Sequence, residues 1–317
     1  MRACPRCGEI FEDGSAFCPR DGAELEAGAG ETLAFGTDAK VLGSYRLVQM
    51  LGEGGMGRVF LAEHVKLGRR VALKMLRPEF AANAEAVRRF FAEARAVNQV
   101  AHPNIVAVTD FFEADGAGQA PYLIMEYLEG ESLRALLDRE PVPDLLRTVS
   151  IALQVADALA AVHAAGIVHR DLKPDNVFLV SGRQDLVKIL DFGIAKLRSP
   201  GDGRSMLHTA HGAVLGTPEY MSPEQAEATL RVDHRADVYA LGVMLYEMVS
   251  GRKPIVGNTI SETLIKQLTW TPPLPSEATL DASIPTELEE LIMRCLEKAA
   301  ERRPRDMREV EATLRGV

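Results

Sequence analysis

The sequence predicts an α+β molecule in two lobes, the first small and β-rich with one main helix and the second larger and mainly helical, behind a short cysteine-bearing head. Three observations lead there. Apolar residues recur at strand-like intervals over 45–76, the period becomes helical over 84–100, and beyond residue 144 one helical pattern follows another.

Within 45–76 the apolar positions Leu47, Val59, Leu61, Val71 and Leu73 are broken by turn chemistry at 52–57 and at Leu67-Gly68, so antiparallel strands are expected. Val87, Phe90, Ala94 and Val97 form one apolar stripe of a helix. Glu93 sits beside that stripe, where a carboxylate needs a cation. After a strand pair ending at 122–127, Asp144 is placed to cap a helix whose Leu145, Val149, Leu153, Ala156 and Ala160 share a face and which stops at Gly166. Further helices are expected over 236–249, with Leu241, Leu245 and Met248 inward, and over 286–296.

The 317 residues are 47% hydrophobic, enough for a sizeable core, and the formal net charge of -9 gives no general attraction to nucleic acid or anionic lipid. Neither is expected as a main partner. No secretory leader follows Met1, and the uncharged apolar stretches, such as 158–168, fall short of a membrane span. Three of the four cysteines fall in the first eighteen residues, which excludes a disulfide scaffold. A soluble cytoplasmic protein with reduced thiols is the expectation.

The composition divides the chain into a Cys/Pro/Gly-rich head at 1–25, an Ala/Gly/Glu-rich linker at 26–44 and a patterned domain at 45–315. Gly52-Glu53-Gly54-Gly55-Met56-Gly57-Arg58-Val59 lies between two strand patterns, where glycines let backbone amides approach phosphate oxygens. A strand follows rather than a helix, which disfavours a dinucleotide-binding unit. Lys74 ends the apolar run Val71-Ala72-Leu73 and either snorkels outward or answers a buried charge, for which Glu93 is the candidate. His169-Arg170-Asp171-Leu172-Lys173-Pro174-Asp175-Asn176 and, after a second apolar strand, Asp191-Phe192-Gly193 concentrate oxygen donors suited to Mg²⁺ held jointly with phosphates.

Together these motifs, in this order, resemble the eukaryotic-type protein kinase superfamily in its bacterial serine/threonine branch, whose general template they match over about 45–314. The resemblance implies the bilobal protein kinase fold, ATP with Mg²⁺ or Mn²⁺ as cofactor, and protein substrates. By that resemblance residues 52–57 cover the phosphates, Lys74 holds the α and β phosphates while paired to Glu93, Asp171 orients or deprotonates the acceptor hydroxyl, Lys173 neutralises the transferring group, and Asn176 and Asp191 bind the metal. Leu51, Val59 and Ala72 resemble the roof over adenine and Phe178 and Leu190 its floor. Met125 stands before a hinge of Glu126, Tyr127 and Leu128.

Lys173, two residues after Asp171, and Gly216-Thr217-Pro218-Glu219-Tyr220 resemble the serine/threonine-selective pattern, with Thr217 near Asp171 and Lys173. The family's usual Ala-Pro-Glu is Ser222-Pro223-Glu224 here, and Glu224 is expected to pair with Arg303; Asp237 is expected to brace the catalytic loop. Residues 194–216 resemble an activation loop, with autophosphorylation expected first at Thr209, then at Ser199 or Ser205, through a transient homodimer, and with Arg170 offered to the phosphate.

In the head, Cys4-Pro5-Arg6-Cys7-Gly8 and Cys18-Pro19-Arg20-Asp21-Gly22 are two copies of one turn and resemble a zinc ribbon, with Cys4, Cys7, Cys18 and Asp21 as ligands to Zn²⁺. The aspartate departs from the usual fourth cysteine. Cys295, on an apolar helical face, reads as a core residue. A pseudokinase scaffold is the competing class of function, and the presence of Lys74, Glu93, Asp171, Asn176 and Asp191 speaks against it.

Overall fold

The computed structural model describes residues 2–3, 10–11, 26–27, 41–54, 57–113, 120–182, 185–191, 217–227, 229, 232–279 and 284–317. The chain divides into two compact units, Met1–Leu47 and Val48–Val317. In the first, strands β1 (Arg2–Ala3), β2 (Ile10–Phe11) and β3 (Glu26–Ala27) form an antiparallel sheet with β1 in the middle. Strand β4 (Val41–Leu42) pairs with Arg46 and Tyr45 at the start of β5 (Tyr45–Glu53).

The second unit opens on the rest of β5, followed by β6 (Gly57–His64), β7 (Arg70–Leu76), β8 (Val108–Phe112) and β9 (Tyr122–Glu126). They lie in the order β5-β6-β7-β9-β8, the neighbours from β6 to β8 paired antiparallel. The short helix α1 (Pro78–Ala81) leads into α2 (Ala84–Asn98), which starts where the Asn83 side chain accepts from the Glu85 and Ala86 N–H groups. Its expected stripe is real: Phe90, Ala94 and Val97 are buried, and Phe90 and Ala94 pack with Leu76 and Leu123 of the sheet.

The larger lobe begins with β10 (Gly130–Ser132) and the helices α3 (Leu133–Arg139) and α4 (Leu145–Ala164). Asp144 caps α4 as expected, its carboxylate accepting from Leu146 N at 2.9 Å, and the chain turns out of the helix at Gly166 with φ +75°, a conformation that favours glycine. Helix α4 is long and apolar enough to cross a membrane, with mean hydropathy 1.6, which a count of uncharged residues overlooks because Arg147 and Asp157 interrupt the run. It is a core helix: Ile151, Val155, Leu159 and Val162 are fully buried against neighbours from other helices.

Strands β11 (Val177–Val180) and β12 (Leu186–Ile189) complete a small antiparallel sheet with β10. Ile189 also bonds back to the segment ahead of β8: its N–H donates to Asn104 O at 2.7 Å and its carbonyl accepts from Val106 N at 3.1 Å. These bonds tie β12 of the larger lobe to the segment between α2 and β8 of the smaller one.

The remaining helices are α5 (Pro223–Ala226), α6 (Arg235–Ser250), α7 (Ile260–Thr269), α8 (Pro275–Ala278), α9 (Thr286–Cys295) and α10 (Met307–Leu314). Helix α6 is buried from Ala236 to Ser250 on every side, so the expected inward set of Leu241, Leu245 and Met248 is correct and incomplete. Each fully buried leucine of this core contributes about 2 kcal/mol by leaving water. A β-carbon at Gly242 would stand 2.5 Å from that of Cys295, so α6 and α9 approach closely there. Cys295 is free and buried, and burial pushes its thiol up to about 12, as suits a core residue.

Candidate active site

The glycine-rich segment is the turn from β5 to β6, closed by Gly54 N–H donating to Gly57 O at 2.8 Å. The glycines have different reasons. A β-carbon on Gly57 would lie 2.7 Å from the Met75 carbonyl oxygen, so strand packing alone requires glycine. At Gly52 a β-carbon would meet nothing within 4 Å, and at Gly54 only Gly57 O at 3.9 Å. What those two positions keep is uncovered backbone, which fits phosphate oxygens. Glu53 is held by Arg58 at 3.2 Å and Arg77 at 2.9 Å, and Leu51 is exposed. Gly55 and Met56 lie outside the described residues.

Beneath this turn Ala72, Val106 and Met125 form an apolar cluster with Val59, Val108, Leu128 and Leu190 packed on it. Of the expected roof and floor, Val59, Ala72 and Leu190 therefore meet; Leu51 is exposed and Phe178 stands on β11 opposite Ser132 and Lys188, and neither is among the side chains packed in this cluster. Glu126 of the hinge accepts from Ala107 N at 2.8 Å and from Lys188 Nζ at 2.7 Å, a tie that sequence spacing did not reveal.

Lys74, central on β7 between Val59 and Leu123, reaches Asp191 with Nζ to Oδ1 at 2.6 Å. Loss of hydration opposes a charge on Asp191, and the charge and hydrogen bond of Lys74, with His169 and Lys173 nearby, overcome it and hold the carboxyl below its usual range. Glu93, the expected partner of Lys74, stands on α2 with its side chain outside the described residues.

The segment around Asp171 is built by three side chains. His169 is fully buried; its Nδ1 accepts from Asp171 N–H at 3.2 Å, so its Nε2–H donates to Leu190 O at 3.0 Å. One ring thus fixes the backbone of Asp171 and of the residue before Asp191. Asn176 donates to Asp171 O at 2.7 Å, and its own carbonyl accepts from Leu190 N at 2.8 Å. With its nitrogen so engaged, the Asn176 amide has its oxygen to offer a cation. Lys173 Nζ donates to Thr217 Oγ1 at 3.1 Å, as the sequence led one to expect.

Arg170 adopts φ +63° and Asp191 φ +42°, left-handed conformations that cost a non-glycine residue about 1 kcal/mol or more. Side chains hold Arg170 there: its N–H donates to Asp237 Oδ1 at 2.8 Å and its carbonyl accepts from Gln225 Nε2 at 2.8 Å. Asp237 also accepts from His169 N–H and from His163 Nε2, both at 2.8 Å. Burial works against its charge, and the His163 bond, with the other donors, keeps its pKa low. The brace expected of Asp237 is present. His163 and Gln225 were not foreseen, because a histidine on an apolar helix and a glutamine in a short turn carry no local signal.

Glu224 and Arg303 form the expected pair, a two-pronged contact at 2.8 Å on each side with the Arg303 side chain wholly buried.

The protein kinase domain profile matches residues 45–313, the region that contains all of this machinery. The chain belongs to the protein kinase domain family. As a member of that family it resembles serine/threonine-protein kinase Pkn1 of Myxococcus xanthus, 47% identical over 82% of this chain and 36% of that protein, and pkn3 of the same organism, 41% identical over 91% and 51%. The chain thus spans about a third to a half of the length of these curated relatives. In structure the kinase domain of Mycobacterium tuberculosis PknI superposes with a TM-score of 0.64 at 29% identity, covering 88% of this chain and 97% of that one.

Among the described residues no group of three or more His, Cys, Asp or Glu could hold a metal ion. Cys4, Cys7, Cys18 and Asp21 lie outside the described residues, as do Phe192, Gly193, Ser199, Ser205, Thr209 and Gly216.

Proposed function

We propose that this chain is a bacterial signalling kinase that transfers the γ-phosphoryl group of ATP, held with Mg²⁺ or Mn²⁺, to serine and threonine hydroxyls of proteins, itself among them. The observation that carries this reading is the bonding around His169, which ties the loop of Asp171 to the strand end that bears Asp191, while Asp191 meets Lys74 of the other lobe.

Lys74 binds the α and β phosphates, with Glu93 as its second partner, and Asn176 and Asp191 supply oxygen ligands to the cation. When bound, the cation neutralises the phosphates and aligns the terminal one. Asp171 accepts or orients the proton of the acceptor hydroxyl, and Lys173, bridged to Thr217, lies where charge develops during transfer. Leu51, residues 52–59, Ala72, Met125, Glu126, Leu128 and Phe178 enclose the nucleotide. Arg170 Nε, buried with no hydrogen-bond partner among the described residues, supports docking of a phosphate from residues 194–216, at Thr209 first. Incubation with labelled ATP, magnesium and a basic acceptor protein tests the reading: transfer to serine or threonine is expected, and label confined to released phosphate would overturn it.

The same reading keeps a division into a head at 1–25, a linker at 26–44 and the kinase domain at 45–315, in a cytoplasmic protein whose copies pair transiently for autophosphorylation. It also places Zn²⁺ in the head. There Cys4, Cys7, Cys18 and Asp21 supply two ligands from each of two like turns, the donor number and spacing that suit tetrahedral Zn²⁺. Zinc measured against protein should approach one per chain and fall in Cys7→Ser; a value near zero in both discards the site.

A further inference from the structure

Gln267 of α7 is completely buried, and its amide is used at both ends. Nε2 donates to two successive main-chain carbonyls, Pro218 O at 3.0 Å and Glu219 O at 2.8 Å. Oε1 accepts from Tyr239 OH at 2.5 Å, and the Tyr239 oxygen accepts from Lys298 Nζ at 3.3 Å. Three side chains, from α7, from the buried α6 and from the segment after α9, thus form one polar line that ends on the turn Pro218–Tyr220. Thr217, which opens that turn, is the residue Lys173 touches.

The direction of this line is fixed by chemistry. A lysine ammonium only donates, so the Tyr239 hydroxyl must spend its proton on Gln267, and Gln267 must face Tyr239 with oxygen and the turn with nitrogen. Reversed, the amide would set an oxygen against two carbonyl oxygens. A residue that only filled space would not need this order, since leucine or methionine fills the same volume.

We propose that Gln267 is a positioning residue for the protein acceptor: by anchoring the carbonyls of Pro218 and Glu219 it sets the turn beside Lys173, and so the place of the acceptor chain relative to Asp171. This rests on the kinase reading above, with the turn at 217–220 as the acceptor surface. Tyr239 and Lys298 act behind Gln267, by orienting its amide.

Steady-state kinetics with a basic serine peptide tests it. Gln267→Glu keeps the volume and the acceptor for Tyr239 but removes both donors to the turn. The expected result is a rise of about tenfold in peptide KM, the factor that corresponds to about 1.4 kcal/mol, with ATP affinity by titration unchanged. Tyr239→Phe should move peptide KM the same way by about threefold. Gln267→Met gives the same reading if the glutamate variant does not fold. Peptide KM within twofold of the parent, or an equal change in ATP affinity, overturns the proposal. A parent protein that phosphorylates no peptide overturns the kinase reading and this inference with it, whereas a competent parent with an indifferent Gln267→Glu overturns this inference alone.

Discussion

Asp237 accepts from the Arg170 N–H at 2.8 Å and thereby secures a residue at φ +63° immediately before Asp171. The same carboxylate takes the His169 N–H and His163 Nε2. Asp237→Ala would strand three donors in the core, and a loss of about 3 kcal/mol or more is expected. Because the folded pKa of Asp237 is depressed, its contribution is complete above the unfolded carboxyl pKa and is lost as pH falls through the folded value. Chemical denaturation at pH 7 and over the range from pH 4 to pH 2 measures both; equal stability of variant and parent at pH 7 contradicts the brace.

Asp171→Asn keeps the bond from Asn176 to the Asp171 carbonyl, since that contact is to the main chain. Nucleotide affinity should stay within a few-fold while phosphoryl transfer drops by about a hundredfold or more. Lys74→Met should instead weaken productive nucleotide binding. Titration with a fluorescent nucleotide beside a transfer assay separates the two, and full activity in either variant refutes the roles.

Arg303→Ala leaves the Glu224 carboxylate without its partner and removes the donor from the carbonyls of Arg235, Glu297 and Lys298. A cost of about 3–5 kcal/mol follows for a buried pair broken on one side. Arg303→Lys should not restore it, because an ammonium has no fork to match two carboxylate oxygens. Thermal melts of the three proteins decide; a lysine variant as stable as the parent is the adverse result.

Burial, with Arg303 nearby, lowers the pKa of Lys298 to about 8. The folded state therefore holds its proton less tightly than the unfolded chain, so stability should rise between pH 8 and the ordinary lysine value near 10.5. Lys298→Met should be more stable than the parent at pH 7, and the advantage should shrink to nothing by about pH 10. Melting both proteins across this range checks the sign; a gap that widens with pH is the opposite outcome.

The residues proposed for the chemistry could be named from the sequence because they are local: eight consecutive positions from His169 to Asn176 carry three of them, Asp171, Lys173 and Asn176, and their types suit a cation and phosphate. The contact of Lys74 with Asp191, 117 positions apart, could not, nor could the supports His163, 74 positions from Asp237, and Gln225, 55 from Arg170, distances only the fold can close. The stripe on α2 and the Asp144 cap were readable because one side of each helix faces water. Helix α6 gave only part of its packing, as a helix enclosed all round has no polar side to mark the period. Helix α3, with Leu133, Leu136 and Leu137 buried over seven residues, is too short for periodicity to stand out, and α7 mixes buried Gln267 with exposed Ile265.

On the proposed kinase reading, the 2.6 Å contact between Lys74 and Asp191 makes nucleotide capture an exchange of partners. A polyanion arriving alone would have to draw the ammonium away while its own oxygens crowded a carboxylate of the same sign. Arriving as a complex with a divalent ion, it brings a replacement for each side of the broken pair, so the cleft is built to prefer the metal-laden form of its guest over the bare one.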